Sequence, residues 1–310
     1  MRKNITTSIA TLPVCIVIAA VLWLYRAPFT LEKLTALALT VGISLAIAEW
    51  NNRTTLLRVR SRMVSSTYIL LMAFVPWLHY MSNDIYAVAL FLTAYYIISK
   101  TYQEIHTQGL SFYVYLFMGI GTVILPGMWW LVLVFFVTQI IFLRSVTFKS
   151  FFATLLALIV PYWTLLAYTY ITKNSIFYYD WAAIVQFQPE MFMQQPTVKL
   201  VTLALVLFLV FCGTLHFLNN YYADKIRVRM VYYIIILQEL ALLALLILQP
   251  AHFDAYMRLL LFNSAPILAH YYTLTKGFMI REIWMTVCLV LFLLIGLLNY
   301  LTPWITFFKF

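Results

Sequence analysis

The chain has 310 residues, 65% of them hydrophobic and 10% charged, with a mean hydropathy of +0.93. A soluble globule of that size would lack the polar residues to cover its surface, so hydrocarbon must solvate most of the exterior. The formal charge of +10 would suit nucleic acid, but the basic residues stand in short gaps beside apolar runs, where they set orientation in a membrane; nucleic acid is therefore not an expected partner.

A helix needs about 20 residues to cross the hydrocarbon core. On that ruler the sequence predicts spans near 8–25, 31–49, 63–81, 85–99, 110–125, 128–143, 150–171, 199–218, 230–249, 258–275 and 283–302. The apolar runs are continuous rather than alternating, which predicts helices that satisfy their own backbone hydrogen bonds in lipid, not a barrel. The expected fold is one integral-membrane domain over 1–310, an all-α polytopic transmembrane bundle of about eleven spans. Met1-Arg2-Lys3 and the apolar run after it have the charged and hydrophobic parts of a signal peptide but no convincing small-residue cleavage site, so this run is read as a retained first span.

Counting basic residues by gap orients the bundle. Fourteen of the twenty Lys and Arg, among them Arg53, Arg58, Arg60, Arg62, Lys225, Arg227 and Arg229, fall in gaps on the amino-terminal side. Arg26, Lys33, Lys173, Lys199, Arg258 and Lys309 fall on the other, and the positive-inside rule then predicts N-in and C-out.

The fifth and sixth spans are short, contain Gly119 and Gly121, and are joined by the uncharged turn Leu125-Pro126-Gly127. They form either a tight helical hairpin or a re-entrant hairpin near 110–143. The longest polar connection, Lys173 to Lys199, carries Ile176 to Trp181, Phe187 and Met191-Phe192-Met193. This aromatic and methionine-containing stretch predicts an outer interfacial helix near 176–193, anchoring the bundle or covering its outer mouth.

Internal similarity is faint. Arg60-Ser61-Arg62-Met63-Val64 and Arg227-Val228-Arg229-Met230-Val231 each follow an Asn-Asn pair, at Asn51-Asn52 and Asn219-Asn220. A parallel repeat joining 51–171 to 219–302 would produce this, and so would the positive-inside rule, which places Arg at every cytoplasmic helix start.

A charge at mid-bilayer costs about 2.5–3.5 kcal/mol on insertion scales, so intramembrane ionisable groups are the functional leads. Glu239, mid-span beside Gln238, is either a proton or ion relay or a buried structural hydrogen-bonding group. At the outer rim, Asp180, Glu190, His79, Asp84 and Asp254 are the candidate catalytic acids and bases, and Arg26, Lys33 and Arg258 the candidate phosphate-holding cations, with Glu32 and His252 near them. His106, His216 and His270 have no metal partner at helical spacing, and Cys15, Cys212 and Cys288 have no paired spacing, so no metal is expected. No Gly-rich phosphate loop is present, and no cofactor is expected.

Arg144-Ser145-Val146-Thr147-Phe148-Lys149-Ser150, followed by Leu155-Leu156 and Pro161-Tyr162-Trp163, resembles the corresponding span of an uncharacterised family of polytopic inner-membrane proteins from Gram-negative bacteria. The resemblance covers about a quarter of the chain and implies a multi-pass protein of the bacterial inner membrane. The plan as a whole is similar to that of multispan enzymes and flippases acting on polyprenyl-linked sugars. It departs from the membrane glycosyltransferases in its first outer gap, which offers Arg26, Glu32 and Lys33 instead of a catalytic Asp.

Three functions follow as expectations. The first is handling of a lipid-linked envelope precursor by transfer, polymerisation or flipping, with membrane lipids and a polyprenyl-phosphate-linked substrate as partners. The second is a proton-coupled small-molecule transporter that uses Glu239. The third is a non-catalytic scaffold with membrane-protein partners in an envelope assembly or secretion complex.

Overall fold

The computed structural model describes residues 8–25, 30–104, 106–172, 179–275 and 279–307, without the side chains of 279–282 and 300–307. Among the described residues the chain is all helix and turn, with no strand. The α-helices are α1 (Thr11–Leu24), α2 (Leu31–Thr54), α3 (Met63–Ala73), α4 (Asp84–Ile98), α5 (Gln108–Ile124), α6 (Met128–Thr138), α7 (Phe148–Thr172), α8 (Thr197–Asn220), α9 (Ile226–Leu248), α10 (Phe253–Leu274) and α11 (Met279–Phe307). Each expected apolar run falls on one of them. Four helices, α2, α7, α8 and α9, are long and apolar enough to cross a membrane by themselves; α8 does so together with the 3₁₀ turn Tyr221–Ala223 that continues it.

Prolines and glycines set several of the differences from the expected spans. The third run ends at Ala73 and continues as a 3₁₀ turn, Pro76–Leu78, because Pro76 has no N–H to donate and forces Val75 out of the helical region. Pro161 and Pro266 instead lie inside α7 and α10. At Gly119 of α5 an added Cβ would stand 3.2 Å from Pro161 Cγ, so the glycine permits the close approach of α5 to α7. The sixth run keeps its length only by changing pitch: α6 passes into a π-helical turn, Gln139–Leu143, that ends at Arg144 with a left-handed φ of 49°.

The connection after α7 departs from the expected interfacial helix. Residues 176–178 lie outside the described residues; beyond them are two 3₁₀ turns, Trp181–Ile184 and Pro189–Met191. Asp180 starts the first turn by accepting from the Ala182 N–H at 2.9 Å, and Pro189 at the start of the second holds Gln188 non-helical, so no α-helix can run through.

The chain forms two compact units that interleave along the sequence: unit 1 is 1–82, 193–225 and 260–310, and unit 2 is 83–192 and 226–259. Both halves of the faint repeat, 51–171 and 219–302, contribute to both units. In unit 1, α1 packs on α3 through Cys15, Ala19, Ile69 and Ala73, and Phe262 meets the rings of Trp50 and Tyr68. In unit 2, Phe91, Tyr95 and Phe135 form an edge-to-face cluster between α4 and α6.

Unit 2 has two distinct ends. At one, Thr107 Oγ1 donates to Ser145 O at 2.8 Å, Gln103 N to Leu143 O at 3.0 Å, and Arg227 Nε to Ser99 O at 2.7 Å. At the other, the α5–α6 turn, the 179–192 connection and the end of α9 meet around Gln249. The α5–α6 hairpin thus joins the same two ends as the 23-residue α9.

Candidate functional site

A groove of about 740 Å³ runs along unit 2 between α6 and α9. Its walls are single helical faces: Trp130, Leu133, Val134 and Val137 recur at three- and four-residue spacing on α6, as do Leu237, Leu240, Ala241, Ala244 and Leu248 on α9. Thr138 is the one hydroxyl in the lining, and Ala241 and Ala244 make room where larger side chains would close the gap. Leu133, Val137 and Leu240 are exposed, at 51%, 48% and 58%. The lining is apolar along its length and faces outward.

The 179–192 connection straps the groove at one end. Phe187 reaches into the lining and meets the Trp130 ring at 6.0 Å. Trp130 Nε1 donates to Ile184 O at 3.0 Å, and Gln188 N donates to Leu248 O at 2.8 Å. Gln249 is the pin: its Nε2 donates to Ala183 O at 3.0 Å and Ile184 O at 2.9 Å, while its Oε1 accepts from Tyr256 Oη at 2.5 Å. The start of the strap is fixed by aromatic packing. Tyr179 donates to Thr122 O at 3.1 Å, Tyr162 stacks on Trp181 at 5.1 Å, and the Tyr162 hydroxyl takes a bond from Trp129 Nε1 at 2.9 Å.

Gly127 explains how the pin fits. Its φ of −63° suits any residue, but a Cβ there would overlap Tyr256 Oη and Gln249 Oε1. The glycine is required by space, not by conformation.

Glu239 is buried, at 5% exposure, on the side of α9 away from the groove, and it interacts electrostatically with Tyr95. The neighbouring Gln238 donates to Leu131 O at 3.0 Å, tying α9 to α6 behind the groove.

A second polar cluster lies in unit 1. Arg58, in the α2–α3 connection, donates from Nε to Asp224 Oδ1 at 2.5 Å and from a terminal nitrogen to Asn220 O at 3.1 Å. The other Asp224 oxygen is 3.1 Å from His270 Nε2 on α10, whose ring meets that of His216 on α8 at 5.6 Å. His216 Nε2 in turn stands 3.4 Å from Thr275 Oγ1. Burial pushes the Asp224 carboxyl up, but the hydrogen bonds and charges of His270 and Arg58 outweigh it and hold the group below the ordinary carboxylate value.

The expected rim residues divide between the units. Arg26 lies outside the described residues. Lys33 is half-buried in the first turn of α2, and His79 is buried, stacked on Trp23 at 3.8 Å with Nε2 3.1 Å from Met72 O; both belong to unit 1. Asp84, Asp180, Glu190, Asp254 and Arg258 belong to unit 2. Asp180 and Glu190 are exposed on the strap, Asp84 and Asp254 are half-buried in the first turns of α4 and α10, and Arg258 is buried at 1%. None of them lines the groove. The signals that sequence reading passed over are Asp224, a lone acid in a basic gap, and Gln249, a neutral side chain at a helix end. Among the described residues no three His, Cys, Asp or Glu side chains come together as a metal site, and the three cysteines are free thiols.

No protein-family model, curated protein or solved structure significantly matches the chain. Fold and surface define its class by themselves: among the described residues, a helical membrane protein with four helices long and apolar enough to span a bilayer and an outward-facing apolar groove.

Proposed function

We propose that the protein is a multi-pass protein of the bacterial inner membrane that binds the hydrocarbon chain of a lipid-linked envelope precursor in the α6–α9 groove, under the strap 179–192. The observation that carries this reading is the groove itself, apolar along its length and closed at one end by Phe187 and Trp130. About eleven crossings with N-in and C-out belong to the same reading. Two sets of contacts support it. Arg58 and Asp224 pair across two gaps that the charge count puts on one side, and α5 and α6 join the same ends of unit 2 as α9.

The test is photolabelling in proteoliposomes with a benzophenone-bearing polyprenyl phosphate, mapped by mass spectrometry. Labelled peptides should come from α6 and α9, and Ala244→Trp, which fills the groove floor, should remove most of the label. Labelling that matches a plain phospholipid probe, or that survives Ala244→Trp, rejects the reading.

A second reading, a proton-coupled carrier, is favoured by the burial of Glu239 beside Tyr95. It requires that Glu239→Gln abolish a pH-dependent uptake that the groove variant leaves intact.

A further inference from the structure

The buried polar cluster Arg58, Asp224, His270 and His216 belongs to unit 1, whereas the groove belongs to unit 2. His270 is fully buried and His216 is 2% exposed, and the side chain of Asp224 between them and the basic end is 1% exposed. An ionised carboxylate only accepts hydrogen bonds, so His270 Nε2 must carry a proton at all times to bond Asp224 Oδ2 at 3.1 Å. A further proton then adds to an imidazole nitrogen of the pair, converting a neutral ring to imidazolium with no other bond made or broken.

The groups facing His270 fix what that proton meets. Asp224 faces it from the α8–α9 connection, and His216 and Phe217 face it from α8. Tyr271, next along α10, packs on His216 at 5.1 Å. Arg58 acts at one remove through Asp224, where Lys225 is the exposed chain neighbour. Two imidazolium rings 5.6 Å apart would share one carboxylate that already balances a guanidinium. Like-charge repulsion therefore limits the histidine pair to one added proton, and the pair titrates as a unit.

We propose that His216 and His270 form a proton-binding site that takes one shared proton, and that its occupancy decides how Asp224 divides its carboxylate between α10 and Arg58. With the site empty, Arg58 holds the carboxylate and the α2–α3 connection is pinned to the α8–α9 connection. With the site filled, the carboxylate is drawn to the imidazolium and the hold on Arg58 weakens. The Arg58 side chain, 34% exposed, gives the cluster its contact with water.

The experiment uses the full-length protein in nanodiscs with isotope-labelled histidine, following the five ring signals by NMR and assigning His270 by its loss in His270→Gln. The pair should take up one proton on acidification. Arg58→Gln removes the competing cation and should raise its proton affinity about tenfold, whereas Asp224→Asn removes the carboxylate and should lower it about tenfold. His216→Gln should leave the proton to His270 alone, so that the His270 signal moves through the full imidazolium shift instead of the fraction it shows while the proton is shared. Backbone deuterium exchange over 56–60 should rise on acidification in the parent and not in His270→Gln, a coupling that a purely structural Asp–His contact would not produce. If Asp224→Asn does not fold, Arg58→Gln at its partly exposed position decides alone. A His270 signal that does not titrate, that Arg58→Gln leaves unmoved or shifts downward, or an exchange response that persists in His270→Gln, overturns the proposal.

Discussion

Gly127→Ala tests the pin beneath the strap. The added methyl would overlap the Tyr256 hydroxyl and Gln249 Oε1, so one of the two must leave. Moving Tyr256 gives up its 2.5 Å bond to Gln249; moving Gln249 gives up the two bonds to Ala183 and Ile184 as well. Forcing a methyl into a filled core costs about 1–3 kcal/mol, and each buried hydrogen bond lost adds about 0.5–1.5 kcal/mol. The expected destabilisation is about 2–4 kcal/mol, read from reversible unfolding in bicelles titrated with denaturing detergent. Tyr256→Phe supplies the control, since it removes the oxygen that the methyl strikes. Gly127→Ala should cost less in that background by about 1–2 kcal/mol, a coupling that a double-mutant cycle reads directly. Additive effects, or a Gly127→Ala protein as stable as the parent, would show that Gly127, Tyr256 and Gln249 do not meet as described.

Three further outcomes are expected. Gln249→Ala removes the strap's side-chain pin while Gln188 N still bonds Leu248 O, so limited proteolysis should cut within 179–192 several-fold faster with little loss of global stability; an unchanged cutting rate refutes the pin. Gly296→Ala should destabilise α11, because its Cβ would lie 2.7 Å from the backbone oxygen of Phe74, while Gly42→Ala in α2, where an added Cβ meets nothing within 4 Å, should be neutral or gain about 0.5–1 kcal/mol; the same unfolding assay compares them, and the reverse order would be the failure. Because Asp224 is held below its ordinary value, its contribution to stability is complete above the unfolded value of about 4 and is lost as pH falls through the folded value. Unfolding measured against pH should therefore show a steeper acid loss in the parent than in Asp224→Asn, and parallel profiles would contradict the ion pair.

The helical runs were legible because hydrophobic length is a property of each segment alone. Every expected run became a helix, and the errors fall where a neighbour intervened: Pro76 ended α3 early, and Asp180 and Pro189 made turns where aromatic composition alone suggested an interfacial helix. The rim charges were legible as residues but not as a site. Nothing in their spacing tells that His79 spends its ring on Trp23, or that Arg258 is buried.

Sequence by itself determined that this protein is helical, apolar over most of its length and biased in the placement of its basic residues, since backbone satisfaction in lipid and the cost of buried charge act locally along the chain. Tertiary structure alone decided that α6 and α9 leave a groove between them, that Gln249 pins a strap over its end, and that Arg58, Asp224 and His270 meet. Those are contacts between side chains up to 166 positions apart. They depend on which helix faces pack together, and hydrophobic faces that are nearly equivalent in lipid carry little record of their partners in their own composition.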